Sequence, residues 1–286
     1  MGANASKEPQ AGSVKRTFAL DAVQEHSDAI NCMALSEDGS VLVTGSDDRS
    51  VRMWTTKAAR VDCIGIMIGH EGAVTCVVVE EVFAISGSAD TTVRKWDMAT
   101  CACLLVMRGH DDRVHRVLST GDFIFSTSGD ATIRCWDFDS GGCIREFAGH
   151  RSGVIPLLFV PDCDDDVVND VILSSEEPDL DGGDGGMNIR DVLLSGSTDC
   201  TARSWSFETG KTLKIFKGHT GPVTCMGTDV DAKVLFTGST DQTIRSWNIG
   251  KGEKLRIFEG HSAAITCMTV RHHVARSEDI CMTVKR

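Results

Sequence analysis

The chain has 286 residues, a formal net charge of −12, 41% hydrophobic residues and 12 cysteines. No apolar run reaches the ~18 residues of a membrane-spanning helix, and no signal peptide opens the chain. The cysteines lack the short paired spacing of a zinc site, so we expect no metal and no other cofactor, in a reduced, intracellular protein. Residues 161–191 carry ten of the twelve net negative charges. The rest is close to neutral without a basic stripe, which disfavours nucleic-acid binding.

The first segment, residues 1–16, is polar and has no hydrophobic period, which predicts a flexible arm. It begins Met1-Gly2-Ala3-Asn4-Ala5-Ser6, which fits the N-myristoylation pattern with Gly2 as the acylated residue. A plain flexible terminus fits the same residues equally well. One myristoyl chain binds a membrane only weakly. We therefore expect a cytoplasmic protein, with weak peripheral membrane contact only if Gly2 is acylated.

Residues 17–286 predict one array of repeats. The five tryptophans of the chain are separated by 42, 40, 69 and 42 residues, and a nearly fixed period of this size indicates a repeat architecture. Short runs that alternate β-branched and polar residues, broken by Gly and Asp, predict strands and turns. The repeats span about 26–55, 70–97, 110–137, 150–206 and 219–248.

Each tryptophan is preceded by three polar residues at matching places. An aspartate lies six residues before it, a serine or threonine lies ten before it, and a histidine lies further upstream. The five sets are His26, Thr44, Asp48 and Trp54; His70, Ser86, Asp90 and Trp96; His110, Ser126, Asp130 and Trp136; His150, Ser195, Asp199 and Trp205; and His219, Thr237, Asp241 and Trp247. A His–Ser–Asp combination can form a catalytic triad. A nucleophilic site occurs once in a protein, however, whereas this set occurs five times in step with tryptophan, so we predict a structural role and no enzyme.

The repeat from Gly-His to Trp-Asp resembles the WD-repeat family of β-propellers, in which each repeat supplies a four-stranded blade. The resemblance implies an all-β propeller with five complete blades. It also implies that the His, Ser/Thr, Asp and Trp of each set form a hydrogen-bonded chain. Such a chain has a physical reason, because a buried indole N–H needs a partner.

Two segments depart from the repeat. Residues 161–191, between His150 and Ser195, are acidic and rich in glycine, which predicts a disordered surface loop inserted in the fourth repeat. A sixth repeat over residues 261–286 is incomplete, because Lys285 stands where its tryptophan is expected. The sixth blade is therefore either degenerate or part of a truncated array, and the sequence leaves the closure of the ring open.

The resemblance also implies where partners bind. The family's contact positions flank the first apolar residue of each repeat and precede the turn aspartate. Their polar members here are Asn31, Asp47, Arg113 and His115, which we take as the candidate contact cluster for protein partners; a solvated rim accounts for each of them as well. The expected function is a non-catalytic protein–protein interaction scaffold or adaptor. The alternative is a substrate-recognition module of a ubiquitin-ligase complex, although the chain shows neither a helical ligase-binding segment nor a cluster of arginines at the contact positions.

Overall fold

The computed structural model describes residues 25–57, 62–161, 191–272 and 280–285. Every regular element in these ranges is a β-strand. The strands form five antiparallel sheets of four strands and one sheet of two strands. The predicted all-β fold with five complete blades is thereby confirmed. The N-terminal arm with Gly2, and most of the acidic stretch, lie outside the described residues.

Each four-stranded sheet is one blade and uses four consecutive strands in chain order. Blade 1 contains β1 (Ile30–Leu35), β2 (Val41–Ser46), β3 (Ser50–Thr55) and β4 (Cys63–Ile68). Blade 2 contains β5 (Val74–Glu80), β6 (Phe83–Ser88), β7 (Val93–Asp97) and β8 (Cys103–Met107). Blade 3 contains β9 (Val114–Ser119), β10 (Phe123–Ser128), β11 (Thr132–Asp137) and β12 (Cys143–Ala148).

The last two complete blades follow the same order. Blade 4 contains β13 (Val154–Val160), β14 (Val192–Ser197), β15 (Thr201–Ser206) and β16 (Thr212–Lys217). Blade 5 contains β17 (Val223–Thr228), β18 (Val234–Ser239), β19 (Ile244–Asn248) and β20 (Lys254–Phe258). The two-stranded sheet pairs β21 (Cys267–His272) with β22 (Ile280–Lys285), so the described part of the sixth repeat is a hairpin.

The core lies between blades and is filled by the tryptophans. Trp96 of blade 2 packs against Val43, Val51 and Met67 of blade 1. Trp136, Trp205 and Trp247 contact the preceding blade in the same way. Each of these indoles is at most 2% exposed, so one large aromatic side chain per repeat closes one joint between neighbouring blades.

The first strand of each blade lies innermost, and these strands are neighbours in the order β1, β5, β9, β13, β17 and β21. Val74 at the start of β5 meets Gly45 of blade 1, where an added Cβ would lie 2.5 Å from the valine Cγ1. Glycine is required at this joint because any side chain would push the blades apart. The same joint recurs between Val114 and Gly87.

On one side of β1, the apolar side chains have no preceding blade to pack against among the described residues. Ile30 and Met33 are 52% and 69% exposed, whereas Val74 and Val77, which occupy the same places in blade 2, are 0% and 7% exposed. Side chains that elsewhere pack against a preceding blade therefore face solvent in blade 1. An apolar surface of this kind favours contact with another polypeptide.

The acidic insertion leaves the fold at a hairpin end. Val160 pairs with Val192, so β13 and β14 keep their ladder up to the two residues that flank the insertion. The other end of this strand pair, where Val154 meets Ser197, carries the turn of Asp199. The described residues that flank the insertion, Val160 and Val192, therefore lie at the end of the hairpin opposite the turn aspartates.

Candidate functional site

Four polar side chains form one hydrogen-bonded chain in every complete blade. The indole N–H donates to the Ser or Thr Oγ at 2.8 Å in all five. That hydroxyl lies 2.8–2.9 Å from the histidine Nε2. The histidine Nδ1 lies 2.7–2.9 Å from the aspartate Oδ2. The structure thus brings together the four members of each set that the tryptophan spacing singled out.

The aspartate closes the turn between the second and third strands. In blade 4, Asp199 accepts from the backbone N–H of Arg151 at 3.0 Å, and from the N–H and Oγ1 of Thr201 at 2.9 and 2.6 Å, besides His150. Burial opposes ionisation, but the hydrogen bonds from Thr201, Arg151 and His150 outweigh it and lower the pKa of Asp199 to about 2. Asp241 has the same arrangement, with its pKa lowered to about 2.

Two histidines of these sets, His150 and His219, fit the neutral imidazole. Burial lowers the pKa of His150 and of His219 below the ordinary value, although their aspartate partners raise it. A neutral ring donates from Nδ1 to the aspartate and accepts at Nε2 from the hydroxyl, which leaves the hydroxyl oxygen free to accept from tryptophan. Every donor and acceptor in the chain is then paired.

This pairing decides against nucleophilic chemistry at the sets. Ser86, Ser126 and Ser195 are 0% exposed, so a substrate cannot reach the hydroxyls. Each hydroxyl oxygen already accepts the indole N–H. A catalytic serine needs an accessible, activated oxygen, and the geometry here satisfies buried polar groups instead.

Three further positions recur in every repeat and were missed in the sequence. Counting back from tryptophan finds all of them. A serine lies eight residues before each tryptophan. Its hydroxyl caps the turn, because it donates to a carbonyl of the preceding loop and accepts from the N–H of the turn aspartate. A serine or threonine lies four residues before each tryptophan, and an arginine lies two residues before it. The members are Ser46, Ser88, Ser128, Ser197 and Ser239; Ser50, Thr92, Thr132, Thr201 and Thr243; and Arg52, Arg94, Arg134, Arg203 and Arg245.

The recurring arginines lie along the rim of the tryptophan joint. The guanidinium carbons of Arg94 and Arg203 lie 5.9 and 5.7 Å from the ring centroids of the tryptophans two residues on. Arg134 also pairs with Glu146 at 2.7 Å. The cation–π contacts cover the outer edges of Trp96 and Trp205, so Arg94 and Arg203 belong to the blade joints.

One buried lysine joins blades 2 and 3. Lys95 donates from Nζ to the carbonyl oxygen of Phe138 at 2.9 Å and lies 3.5 and 4.2 Å from the ring centroids of Phe138 and Phe83. Burial lowers the pKa of Lys95, although Asp139 and Asp137 act in the opposite direction. The ammonium group contacts the carbonyl oxygen and both rings, so the Lys95 side chain links blades 2 and 3.

The candidate contact residues fall into two pairs on different blades. In blade 1, Asn31 donates to Asp47 Oδ1 at 2.6 Å and to the carbonyl oxygen of Val74 at 3.1 Å. Asn31 therefore also ties blade 1 to blade 2. In blade 3, Arg113 is exposed and His115 is half-buried. Burial, followed by the charge of Arg113, lowers the pKa of His115, which places these two side chains near each other.

Both pairs share the face of the turn aspartates. Asp47 and Asp48 are consecutive in the turn after β2, and Arg113 immediately precedes β9. The guanidinium of Arg113 finds no hydrogen-bond or ion-pair partner among the described residues. In the described residues, the pair in blade 1 is thus hydrogen-bonded, whereas the pair in blade 3 contains a cation without a partner.

A family model described as WD domain, G-beta repeat matches residues 16–55, 61–97, 101–137 and 210–248, more than half of the chain. The chain belongs to the WD-repeat family. The matched stretches contain four of the five tryptophans, and the repeat that carries the acidic insertion lies outside them. The hydrogen-bonded sets are therefore the blade-forming residues of a WD-repeat protein.

Parts of this WD-repeat protein are similar to the proteins named mitochondrial division protein 1 of three fungi. The identity is 36% over 75 residues for Schizosaccharomyces pombe, 36% over 77 for Pyricularia oryzae and 30% over 90 for Saccharomyces cerevisiae. These stretches cover 26–27% of this chain and 11–13% of the relatives. The chain thus matches only about a tenth of the length of these relatives.

In the described ranges of this WD-repeat protein, no three or more His, Cys, Asp or Glu side chains are grouped as metal ligands would be. The same ranges contain no helix with the length and apolar character needed to cross a membrane.

Proposed function

We propose that this WD-repeat protein is a non-catalytic interaction scaffold or adaptor that binds protein partners on the face of the turn aspartates. One observation carries the proposal: the hydroxyls of the five hydrogen-bonded sets are buried and paired within the blades, whereas Arg113 is exposed and unpaired on that face among the described residues. An arginine with a free guanidinium beside a half-buried histidine is the kind of group that anchors a protein interface.

The contact cluster gives the first test. We expect a variant with both Arg113→Ala and His115→Ala to lose protein partners in affinity purification. Its circular dichroism spectrum and melting temperature should stay close to those of the wild type, because exposed side chains of this kind contribute within about 0.5 kcal/mol to stability. Arg256→Ala is the matched control, since Arg256 is an exposed cation on the outermost strand of blade 5. Retention of all partners by the double variant would contradict the proposed contact site.

Neither the family match nor the relatives favour a role as substrate-recognition module of a ubiquitin-ligase complex, and we do not propose one. Mitochondrial division is likewise not carried over to this chain. The shared stretches are repeat sequence that builds blades, and fold does not by itself confer function. Within the family, we propose a finer kinship: the Met-Gly start and the interrupted fourth repeat resemble WD repeat-containing protein 86.

We propose a cytoplasmic location with weak, reversible membrane contact through a myristoyl group on Gly2. The pattern at residues 1–6 supports it. We expect the wild type to divide between the soluble and membrane fractions of cells, because one acyl chain gives only marginal binding. Gly2→Ala removes the glycine that the acylation pattern requires and should leave the protein wholly soluble. The same fraction at the membrane for both proteins would refute acylation as the cause.

A further inference from the structure

In three of the five complete blades, the third residue of the innermost strand is a cysteine that pairs with a glycine of the second strand. Cys32, Cys76 and Cys225 occupy it in blades 1, 2 and 5, each opposite a glycine of the second strand. A Cβ added to that glycine would lie 2.6–2.7 Å from the cysteine Sγ. The thiol therefore fills the space that the missing glycine side chain leaves.

Blade 3 breaks this rule with a different pair. Arg116 stands in place of the cysteine, opposite Thr127 in place of the glycine. Thr127 is 0% exposed, and its Oγ1 donates to the carbonyl oxygen of Ile155 at 3.2 Å. Because the threonine side chain occupies the space that a thiol fills in the other blades, the longer arginine cannot fold into the joint. Arg116 is accordingly exposed.

Arg116 lies on β9, one of the innermost strands, and its side chain extends toward the central space between these strands. Burial raises the pKa of Cys32 to about 12 and of Cys76 and Cys225 to about 11, and the charge of Arg116 acts in the opposite direction on all three thiols. Cys32 lies on β1 and Cys225 on β17, two blades away from β9 on either side. A side chain of β9 comes near both strands only by pointing toward their common axis.

No described counter-charge neutralises this cation. Its neighbours at the same level are thiols and Pro156, which are uncharged. The carboxylates nearest to the strand's start are Asp112 and Asp130, which act on His115. Asp130 is held by His110 and Thr132, and the Asp112 Oδ1 accepts from the Arg113 N–H. The guanidinium of Arg116 has no hydrogen-bond or ion-pair partner in the described ranges.

Arg113 and Arg116 therefore place two free guanidinium groups along one strand. Three residues of extended strand span roughly 10 Å, from the exposed face at Arg113 into the channel at Arg116. A peptide that carries several carboxylates can contact both groups at once along this length of strand. Guanidinium groups bind carboxylates through paired, charge-assisted hydrogen bonds.

We propose that the central channel receives an acidic segment of a protein partner, whose carboxylates bind Arg113 at the mouth and Arg116 inside. The proposal rests on the proposed scaffold function and names the chemistry of the partner. It also adds Arg116 to the contact residues predicted from the sequence. The neutral walls of the channel make this residue the group that selects a negative charge.

Fluorescence anisotropy with a labelled, end-capped hexaglutamate peptide and the full chain tests the proposal. We expect the wild type to bind the peptide and not hexaglutamine. Arg116→Gln should weaken binding by at least about tenfold, because it removes a charge-assisted contact. Arg256→Gln, which makes the same change of charge on the outermost strand of blade 5, should change binding by less than about twofold.

A second variant keeps the result interpretable if Arg116→Gln folds poorly. Arg116→Cys combined with Thr127→Gly installs the pair that blades 1, 2 and 5 carry at this position. This variant should fold as the wild type does, judged by circular dichroism, and should also lose hexaglutamate binding by at least about tenfold.

Several outcomes would overturn the proposal. Equal losses in Arg116→Gln and Arg256→Gln would show general charge attraction, and the absence of wild-type binding would remove the site altogether. Displacement of the peptide by equimolar inorganic phosphate would show a small-anion site instead of a site for a segment. If the Arg116 variants bind the peptide normally while the Arg113 and His115 double variant loses its cellular partners, the channel proposal fails and the scaffold function stands.

Discussion

Trp136→Ala should lower the free energy of unfolding by about 3–5 kcal/mol, the usual cost of deleting a large buried aromatic side chain. Trp136 is 1% exposed and packs against Ile85, Val93 and Met107 of the preceding blade. Its loss leaves a cavity in the joint between blades 2 and 3. It also removes the indole N–H that donates to Ser126 at 2.8 Å. Urea denaturation followed by circular dichroism measures the change.

Trp136→Phe separates packing from hydrogen bonding. Phenylalanine keeps most of the ring volume but cannot donate to Ser126, so we expect a loss of about 1–2 kcal/mol. Val82→Ala is the control for the loss of an apolar side chain outside the core, because Val82 is 59% exposed. This variant should change the free energy of unfolding by less than about 0.5 kcal/mol. If the alanine and phenylalanine variants were equally unstable, the hydrogen bond and not the filling of the joint would dominate.

The sequence predicts the blade-forming residues because they recur. Trp136 and its partners are found by counting, since the second and third strands pair in the same register in every blade. The serine at position −8, such as Ser128, and the arginine at position −2, such as Arg134, recur as strictly and could have been found by the same count. Periodicity therefore predicts what all blades share.

What distinguishes one blade from another is harder to predict from the sequence. Arg116 and Thr127 look like unrelated surface residues until pairing places them opposite each other. The exposure of Ile30 and Met33 is also invisible in the sequence, because their apolar character is that of the buried Val74 and Val77. Burial here depends on whether a preceding blade covers the strand, and this is a property of the assembled fold.

Acid should destabilise the protein in two steps, and this is the largest effect of solution conditions that we expect. The first step starts below about pH 6.5, the pKa of histidine in an unfolded chain. His150 and His219 have lowered pKa values in the fold, mainly through burial. The unfolded chain therefore binds protons first, so stability that is fully present above pH 6.5 is lost as the pH falls.

The second step lies between about pH 4 and pH 2. The folded pKa values of Asp199 and Asp241 are lowered to about 2, from about 3.9 in an unfolded chain. Their contribution is present above pH 4 and disappears as the pH falls through the folded values. After allowance for solvent at the turns, each carboxylate contributes on the order of 1 kcal/mol. The pKa values of Asp48, Asp90 and Asp130 are lowered further still, so the loss in blades 1, 2 and 3 also starts near pH 4 but continues to lower pH.

Asp199→Asn tests the second step. At pH 7 we expect this variant to be less stable than the wild type by roughly 1–3 kcal/mol, because the amide leaves donors of His150, Arg151 or Thr201 poorly paired. Between pH 4 and pH 2 the difference should shrink, because the wild-type carboxylate becomes neutral as well. Urea midpoints at pH 7, 5, 4 and 3 measure it, with Asp122→Asn as the control, since Asp122 is exposed and lies outside the hydrogen-bonded sets.

The two acid steps can be told apart because they act on opposite ends of the same hydrogen-bonded chain. Protonation of His150 adds a hydrogen at Nε2, which reverses its bond with Ser195 and leaves the serine hydrogen without its acceptor. Protonation of Asp199 instead weakens the turn that joins β14 and β15. Asp199→Asn should therefore remove only the share of blade 4 from the pH dependence below pH 4 and leave the loss near pH 6 in blade 5, where Asp241 still holds His219. A variant that flattened both regions equally would show that the blades titrate as one unit and not as separate joints.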